Sequence, residues 1–289
     1  MKRLALILVA WIFLAACTRP LRSQTGGSAS TPETLLSGGV VRQYRLHVPP
    51  TYEADVPIPL VINFHGLGSN SQQEEALSGM SRKADQAGFI VVYPDGLDAR
   101  WSDGPGPDGQ ADLQFVRDLI AALESKYKID PQRIYATGIS NGGGMTNRLG
   151  CAMADTIAAI APDSGAYNFW QDCQPTRPVP VLAFHGLDDR LVPYHGGVSL
   201  AMEPPIPEWA AAWAERDGCG TSPAQSSLPG GVTVQTWLGC QGNAEVTLYT
   251  LEHHGHSWPG STVMPKAITS QAVNATDLMW DFFQVHPLP

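Results

Sequence analysis

Arg133-Ile134-Tyr135-Ala136-Thr137-Gly138-Ile139-Ser140-Asn141-Gly142-Gly143-Gly144-Met145 is the stretch on which the fold turns. A short β-prone run ends in Gly-x-Ser-x-Gly and passes directly into a segment able to form a helix. That is the context of a strand-to-helix turn sharp enough to lift a serine hydroxyl clear of a sheet. So tight a turn crowds the serine's neighbours, and Gly138 and Gly142 supply the small residues needed on both sides. The helix N-terminus, with its unpaired N–H groups, points to the same place. In a chain with 29 glycines the pattern arises easily by itself, so its meaning rests on what surrounds it.

Working outward, Leu60-Val61-Ile62-Asn63-Phe64 and Phe89-Ile90-Val91-Val92-Tyr93 are short apolar runs of the kind that become buried strands. Residues 41–48 alternate apolar and polar until Pro49-Pro50, which predicts a half-buried antiparallel strand near a sheet edge. Residues 72–87 have helical character, and Leu113, Val116, Leu119, Ile120 and Leu123 recur at helical spacing. Further strands are expected near 157–161, 179–184, 232–238 and 245–251, with helices near 207–217 and 269–284. Strands and helices in alternation predict right-handed crossovers and an α/β class: a mostly parallel central sheet with helices on both faces. No internal repeat or linker interrupts residues 41–285, so 39–289 is expected to be one domain.

Met1-Lys2-Arg3 followed by apolar Leu4 to Ala16 has the pattern of a signal peptide over 1–16, too short to span a membrane. Leu14-Ala15-Ala16-Cys17 resembles the bacterial lipobox, which implies a lipid on Cys17 and a membrane anchor. An ordinary cleavage after Ala16 is the alternative, and either route takes the mature chain out of the cytoplasm. Residues 17–38, rich in Ser, Thr, Gly and Pro, are expected to be a flexible tether. Cys151, Cys173, Cys219 and Cys240 then suggest two disulfides in an oxidising compartment, with three possible pairings. Nearest-neighbour pairing, Cys151–Cys173 and Cys219–Cys240, is preferred. A four-cysteine metal site lacks any C-x2-C pair. Charged residues make up only 16% of the chain and the net charge is −9, which argues against nucleic acid as a partner.

A nucleophilic Ser140 needs a base, and the base an orienting carboxylate. The strand Val181 to Phe184 leads into His185-Gly186-Leu187-Asp188-Asp189-Arg190-Leu191-Val192-Pro193-Tyr194. Asp188 and Asp189 both stand just past a strand's C-terminal end, where open α/β sheets place their sites. Leu248 to Leu251 leads into Glu252-His253-His254-Gly255-His256-Ser257-Trp258-Pro259-Gly260. Three imidazoles beside Glu252 raise the question of a metal, but the spacing suits no helix face, and neither metal nor cofactor is expected. His65 and His185, each before a glycine at a strand end, are expected to bond backbone. Trp101, in a Gly/Pro-rich loop, and Trp258, beside the presumed base, are candidates for stacking on the substrate. For Trp258, packing beneath the histidine loop is the alternative.

The motifs Gly-x-Ser-x-Gly-Gly-x-Met, His-Gly-x-x-Asp-x-x-Val-Pro-Tyr and Gly-His-x-Trp-Pro-Gly occur in that order. The chain thereby resembles the secreted esterases that include polyhydroxybutyrate depolymerase-like lipoproteins and feruloyl or acetyl-xylan esterases. The resemblance spans roughly residues 41–284 and implies an α/β-hydrolase fold, with Ser140 as nucleophile, Asp189 as acid and His256 as base. The family often has His-Gly-Cys where His65-Gly66-Leu67 stands, and Ala where Asn141 stands. Neither departure removes a backbone N–H, and the N–H groups of Leu67 and Asn141 are expected to form the oxyanion hole. The implied activity is hydrolysis of feruloyl, acetyl or short hydroxyalkanoate esters through an acyl-enzyme. The chain has no spare length for a separate polymer-binding module, which favours soluble or oligomeric esters. Two other expectations are a peptidase of the same fold, whose prolyl-peptidase relatives usually carry an additional domain, and an inactive lipid-anchored binding protein. The second sits poorly with three filled triad positions.

Overall fold

A computed structural model describes residues 29–168, 170–198 and 202–289. The expected signal peptide, Cys17 and most of the expected tether lie outside these residues. The chain runs β1 (Thr31–Ser37), β2 (Val40–His47), β3 (Ile58–Phe64), α1 (Ser71–Ser78), α2 (Met80–Ala87), β4 (Ile90–Pro94), α3 (Pro107–Lys126), β5 (Ile129–Ile139), α4 (Asn141–Ala152) and β6 (Ala159–Asp163). It continues through β7 (Val181–Gly186), the two-residue strands β8 (Gly197–Val198) and β9 (Met202–Glu203), α5 (Ile206–Arg216), β10 (Ala224–Leu228), β11 (Val232–Trp237), β12 (Val246–Leu251) and α6 (Ala275–Phe283).

One ten-stranded sheet has the order β1-β2-β4-β3-β5-β6-β7-β12-β11-β10. The strands from β4 across to β12 pair in parallel, and an antiparallel pair flanks them at each edge. Their apolar runs are continuous because both faces are covered. Leu60, Ile62 and Phe64 of β3 enter a core with residues of α3, α4 and α5, such as Leu119, Leu149 and Trp213. Val61 points the other way, to a core with Met80 of α2 and Met279 and Phe283 of α6. The sheet is thus mostly parallel with helices on both faces, as its sequence pattern requires.

Three features depart from expectation. Residues 31–37 are not tether: they form an edge strand, with Thr31 opposite Leu46 and Ser37 opposite Val40. This strand escapes a hydrophobicity reading because its inward residues include Glu33, which accepts from Tyr44 Oη (2.8 Å) and Lys126 Nζ (2.7 Å). At the opposite edge, β10 is exposed along its whole length and equally polar. Finally, the helical run over 72–87 is two helices, broken where Gly79 adopts φ +60°, a left-handed conformation that ends helices and suits glycine.

The structure holds two disulfides, Cys151–Cys173 and Cys219–Cys240. The first ties the end of α4 to the connection before β7. The second joins the segment after α5 to the segment after β11. Replacing both Cys151 and Cys173 with Ala frees a closure spanning 22 residues and is expected to cost about 3 kcal/mol of stability. Urea unfolding of the double variant against the wild type measures it.

Candidate active site

Ser140 stands between β5 and α4 with φ +59° and ψ −122°, a backbone conformation that side chains rarely adopt and that functional sites retain. Three hydrogen bonds hold it there. Ser140 N donates to Asp163 O (3.0 Å), and Ser140 O accepts from Gly144 N and Ala166 N, each at 3.0 Å. The flanking glycines are demanded by space. A Cβ at Gly138 would fall 2.5 Å from Phe64 O, and one at Gly142 only 2.1 Å from the same oxygen.

Asp189 and His256 follow β7 and β12, which are parallel to β5, so all three loops lie on the sheet's C-terminal edge. His256 Nδ1 lies 2.8 Å from Asp189 Oδ2. The other carboxylate oxygen accepts from Leu191 N and Val192 N, both at 2.9 Å. Burial alone would raise this carboxyl, but the hydrogen bond and charge of His256 hold it below the usual carboxylate range. Asp189 therefore stays ionised and accepts the Nδ1 proton, which leaves Nε2 as the ring nitrogen available to a substrate-side proton. Asp188, equally placed by sequence, is exposed and lies 3.8 Å from the exposed His253. Neither the Ser140 hydroxyl nor His256 Nε2 has a hydrogen-bond partner among the described residues.

Three more imidazoles of the strand-end loops bond to backbone. His65 Nδ1 donates to Gly66 O (2.8 Å), while Nε2 accepts from Gly96 N (3.0 Å). His254 Nε2 donates to Ser257 O and its Nδ1 accepts from Ser270 N. His185 Nε2 donates to Val192 O at 2.8 Å. Burial lowers all three pKa values, that of His185 to about 4 despite the nearby Asp189. Asp163, under the elbow, is the converse. Burial first, and then the charge of Asp189, push its carboxyl well above the usual range.

The two tryptophans correct the sequence expectation. Trp101 is 3% exposed and Trp258 1%, so neither offers a face to a ligand. Trp258 packs inward, its Nε1 donating to Thr276 Oγ1 (3.0 Å). Trp101 acts as a clamp instead. Its N–H donates to Asn141 Oδ1 (2.7 Å), its C=O accepts from Asn141 Nδ2 (2.9 Å), and its indole Nε1 donates to His65 O (3.0 Å). The elbow and the His65-Gly66-Leu67 turn are thereby fastened to one residue. The buried pair Arg42–Asp112 (2.9 Å) fixes the loop, since Asp112 Oδ2 also accepts from Ser102 N (2.8 Å). The departure of Asn141 from the more common alanine was the available signal. Around this edge Leu67, Leu187 and Leu191 are exposed, an apolar rim that periodicity did not reveal.

Comparison with known proteins gives the family. Residues 42–171 match the family model described as Esterase PHB depolymerase. Feruloyl esterase B of Piromyces equi is 35% identical over 232 residues; the match takes in 75% of this chain and spans 42% of that longer protein. A protein of Aspergillus flavus named probable feruloyl esterase C is 31% identical over 207 residues, 68% of this chain and 74% of the relative. The chain belongs to the PHB depolymerase esterase family. An acetyl xylan esterase from Aspergillus awamori has the same fold, with a TM-score of 0.65 at 15% identity over 88% of this chain and 99% of that one. As a member of this esterase family the chain is a carboxylic ester hydrolase. Its two disulfides fit an oxidising compartment, and among the described residues no helix is long and apolar enough to cross a membrane.

Two outcomes are expected. Asn141→Ala should lower kcat for ester hydrolysis about tenfold to a hundredfold with little change in KM, and Asn141→Asp, which keeps the acceptor, should recover part of it. A fall in Tm alone, with kcat intact, would show a purely structural role. Unfolded His185 takes up a proton near its ordinary pKa of about 6.5, whereas the folded residue does so only near 4. Between these values the unfolded chain binds the extra proton. The residue's contribution therefore falls as pH drops through that window, by up to about 3 kcal/mol. His185→Gln should flatten this limb in urea titrations at stepped pH.

Proposed function

We propose that the chain is a serine esterase of the extracytoplasmic space in which Ser140, His256 and Asp189 form the catalytic triad. The observation that carries this reading is the Asp189–His256 hydrogen bond on the same sheet edge as a serine strained into an elbow. His256 Nε2 takes the Ser140 proton as Oγ bonds to the ester carbonyl carbon. The resulting oxyanion is met by the N–H groups of Leu67 and Asn141, and the Trp101 clamp keeps their two turns in register. Collapse of the tetrahedral intermediate breaks the ester C–O bond, and the imidazolium gives its proton to the departing alcohol. Water, deprotonated by the same imidazole, then attacks the acyl-enzyme and releases a carboxylic acid and free Ser140.

The feruloyl esterases among its relatives support an aromatic acyl ester as substrate, and the leucine rim supports an apolar acyl group. Acetyl and hydroxyalkanoate esters are the competing acyl classes. We further propose that residues from β1 onward form one catalytic domain, held at a membrane through a lipid on Cys17 and a tether now shortened to end near residue 29. Nothing in the chemistry above calls for a metal or cofactor.

Purified enzyme is expected to hydrolyse methyl ferulate faster than acetylated xylan or hydroxybutyrate oligomers. Ser140→Ala and His256→Ala should each lose on the order of 10⁶-fold in kcat, and Asp189→Asn roughly 10⁴-fold. Retained turnover in Ser140→Ala would overturn the mechanism. A large loss in Asp188→Asn with Asp189→Asn active would reassign the acid.

A further inference from the structure

A cavity of about 220 Å³ opens between the α1–α2 turn, the loop from Trp258 to Thr262 and the first turn of α6. This is below the roughly 300 Å³ at which sites for drug-sized molecules begin, and suits a small anion or one sugar ring. Its lining is polar and carries two cations, Arg82 and Lys83. Lys83 Nζ is already paired with Asp277 Oδ1 at 2.8 Å. The Arg82 side chain has neither hydrogen bond nor ion pair among the described residues. It lies over the turn, where a Cβ at Gly79 would meet its Nη2 at 2.8 Å. Ser261, 6% exposed, lines the same cavity with a hydroxyl that has no partner. A buried hydroxyl without a partner is costly, and Ser261 is among the residues that line this cavity.

We propose that this cavity is a binding site for a small carboxylate, either a sugar acid or a free monocarboxylic acid, held by Arg82 and Ser261. The guanidinium offers two parallel N–H donors that match a carboxylate, and the Ser261 hydroxyl supplies a further donor. Charge selects the class. With Lys83 neutralised by Asp277, the lining has one uncompensated positive charge, which balances a monoanion and leaves a phosphate dianion with excess charge. The site also borders the base loop. Thr276 Oγ1 donates to Ser78 O (2.6 Å) and accepts from Trp258 Nε1, and Trp258 is two residues from His256. A ligand in the cavity therefore packs against the segment that carries the imidazole.

The test is calorimetric titration of the wild-type enzyme with glucuronate, acetate and inorganic phosphate, without any ester present. Because turnover is not read, failure here is separate from failure of the esterase assignment. Saturable binding of at least one carboxylate is expected, with phosphate weaker. Arg82→Gln should weaken it roughly tenfold and Ser261→Ala should weaken it severalfold, with thermal melts showing both variants folded. Binding of glucuronate but not acetate identifies a sugar acid, and the reverse a free acid. No saturable binding of either carboxylate, equal affinity in Arg82→Gln, or tighter binding of phosphate would each overturn the proposal.

Discussion

The structure depends on how closely backbone approaches backbone at the start of α4. Gly138 and Gly142 press against the end of β3, Gly143 lies where a Cβ would be 2.7 Å from Gly165 Cα, and Gly144 where one would be 2.3 Å from Ala166 O. A helix opening with three glycines is poor by intrinsic propensity, at about 1 kcal/mol per glycine relative to alanine. Tertiary interactions compensate. Asn147 Oδ1 accepts from the indole N–H groups of Trp209 and Trp213, each at 3.0 Å, and Cys151 anchors the last turn. The helix is therefore defined by its surroundings, which is what lets Ser140 be held off its preferred backbone angles.

The electrostatic design follows from burial. Burial lowers the pKa values of His65 and His185, which bond to backbone, while desolvation pushes the carboxyls of Asp163 and Glu74 well above the usual range. Asp189 is the exception, because two backbone N–H groups and His256 replace the water it has lost.

Much of this was legible in the sequence where the physics is local. Continuous apolar runs gave β3, β4 and β7, and the glycines at 138 and 142 carried the elbow, because burial and steric crowding leave direct marks on composition. The edges were not legible. β1 and β10 are held by ladder bonds and by polar side chains such as Glu33, which look the same in a loop. Trp101 misled because an indole in a Gly/Pro-rich loop carries no sign of which way it faces. Its inward turn depends on Asn141, forty residues away. Position past β7 alone does not separate Asp188 from Asp189; the motif resemblance points to Asp189, and the fold has Asp188 exposed and Asp189 against His256.

The edge strand β1 also has a mechanical meaning. Any pull on the segment before residue 29 enters the domain through this strand, whose register runs antiparallel to β2 from Thr31 opposite Leu46. Force applied at Thr31 loads the ladder from its open end, so the bonds meet it in succession rather than together. The side chains reinforce that end. Arg45 Nη2 donates to Ser30 O (3.2 Å), and the Ser30 hydroxyl reaches Glu75 of α1. The load is thus shared with α1 at the margin of the sheet, and six strands lie between β1 and β12, the strand that leads into the loop that carries His256.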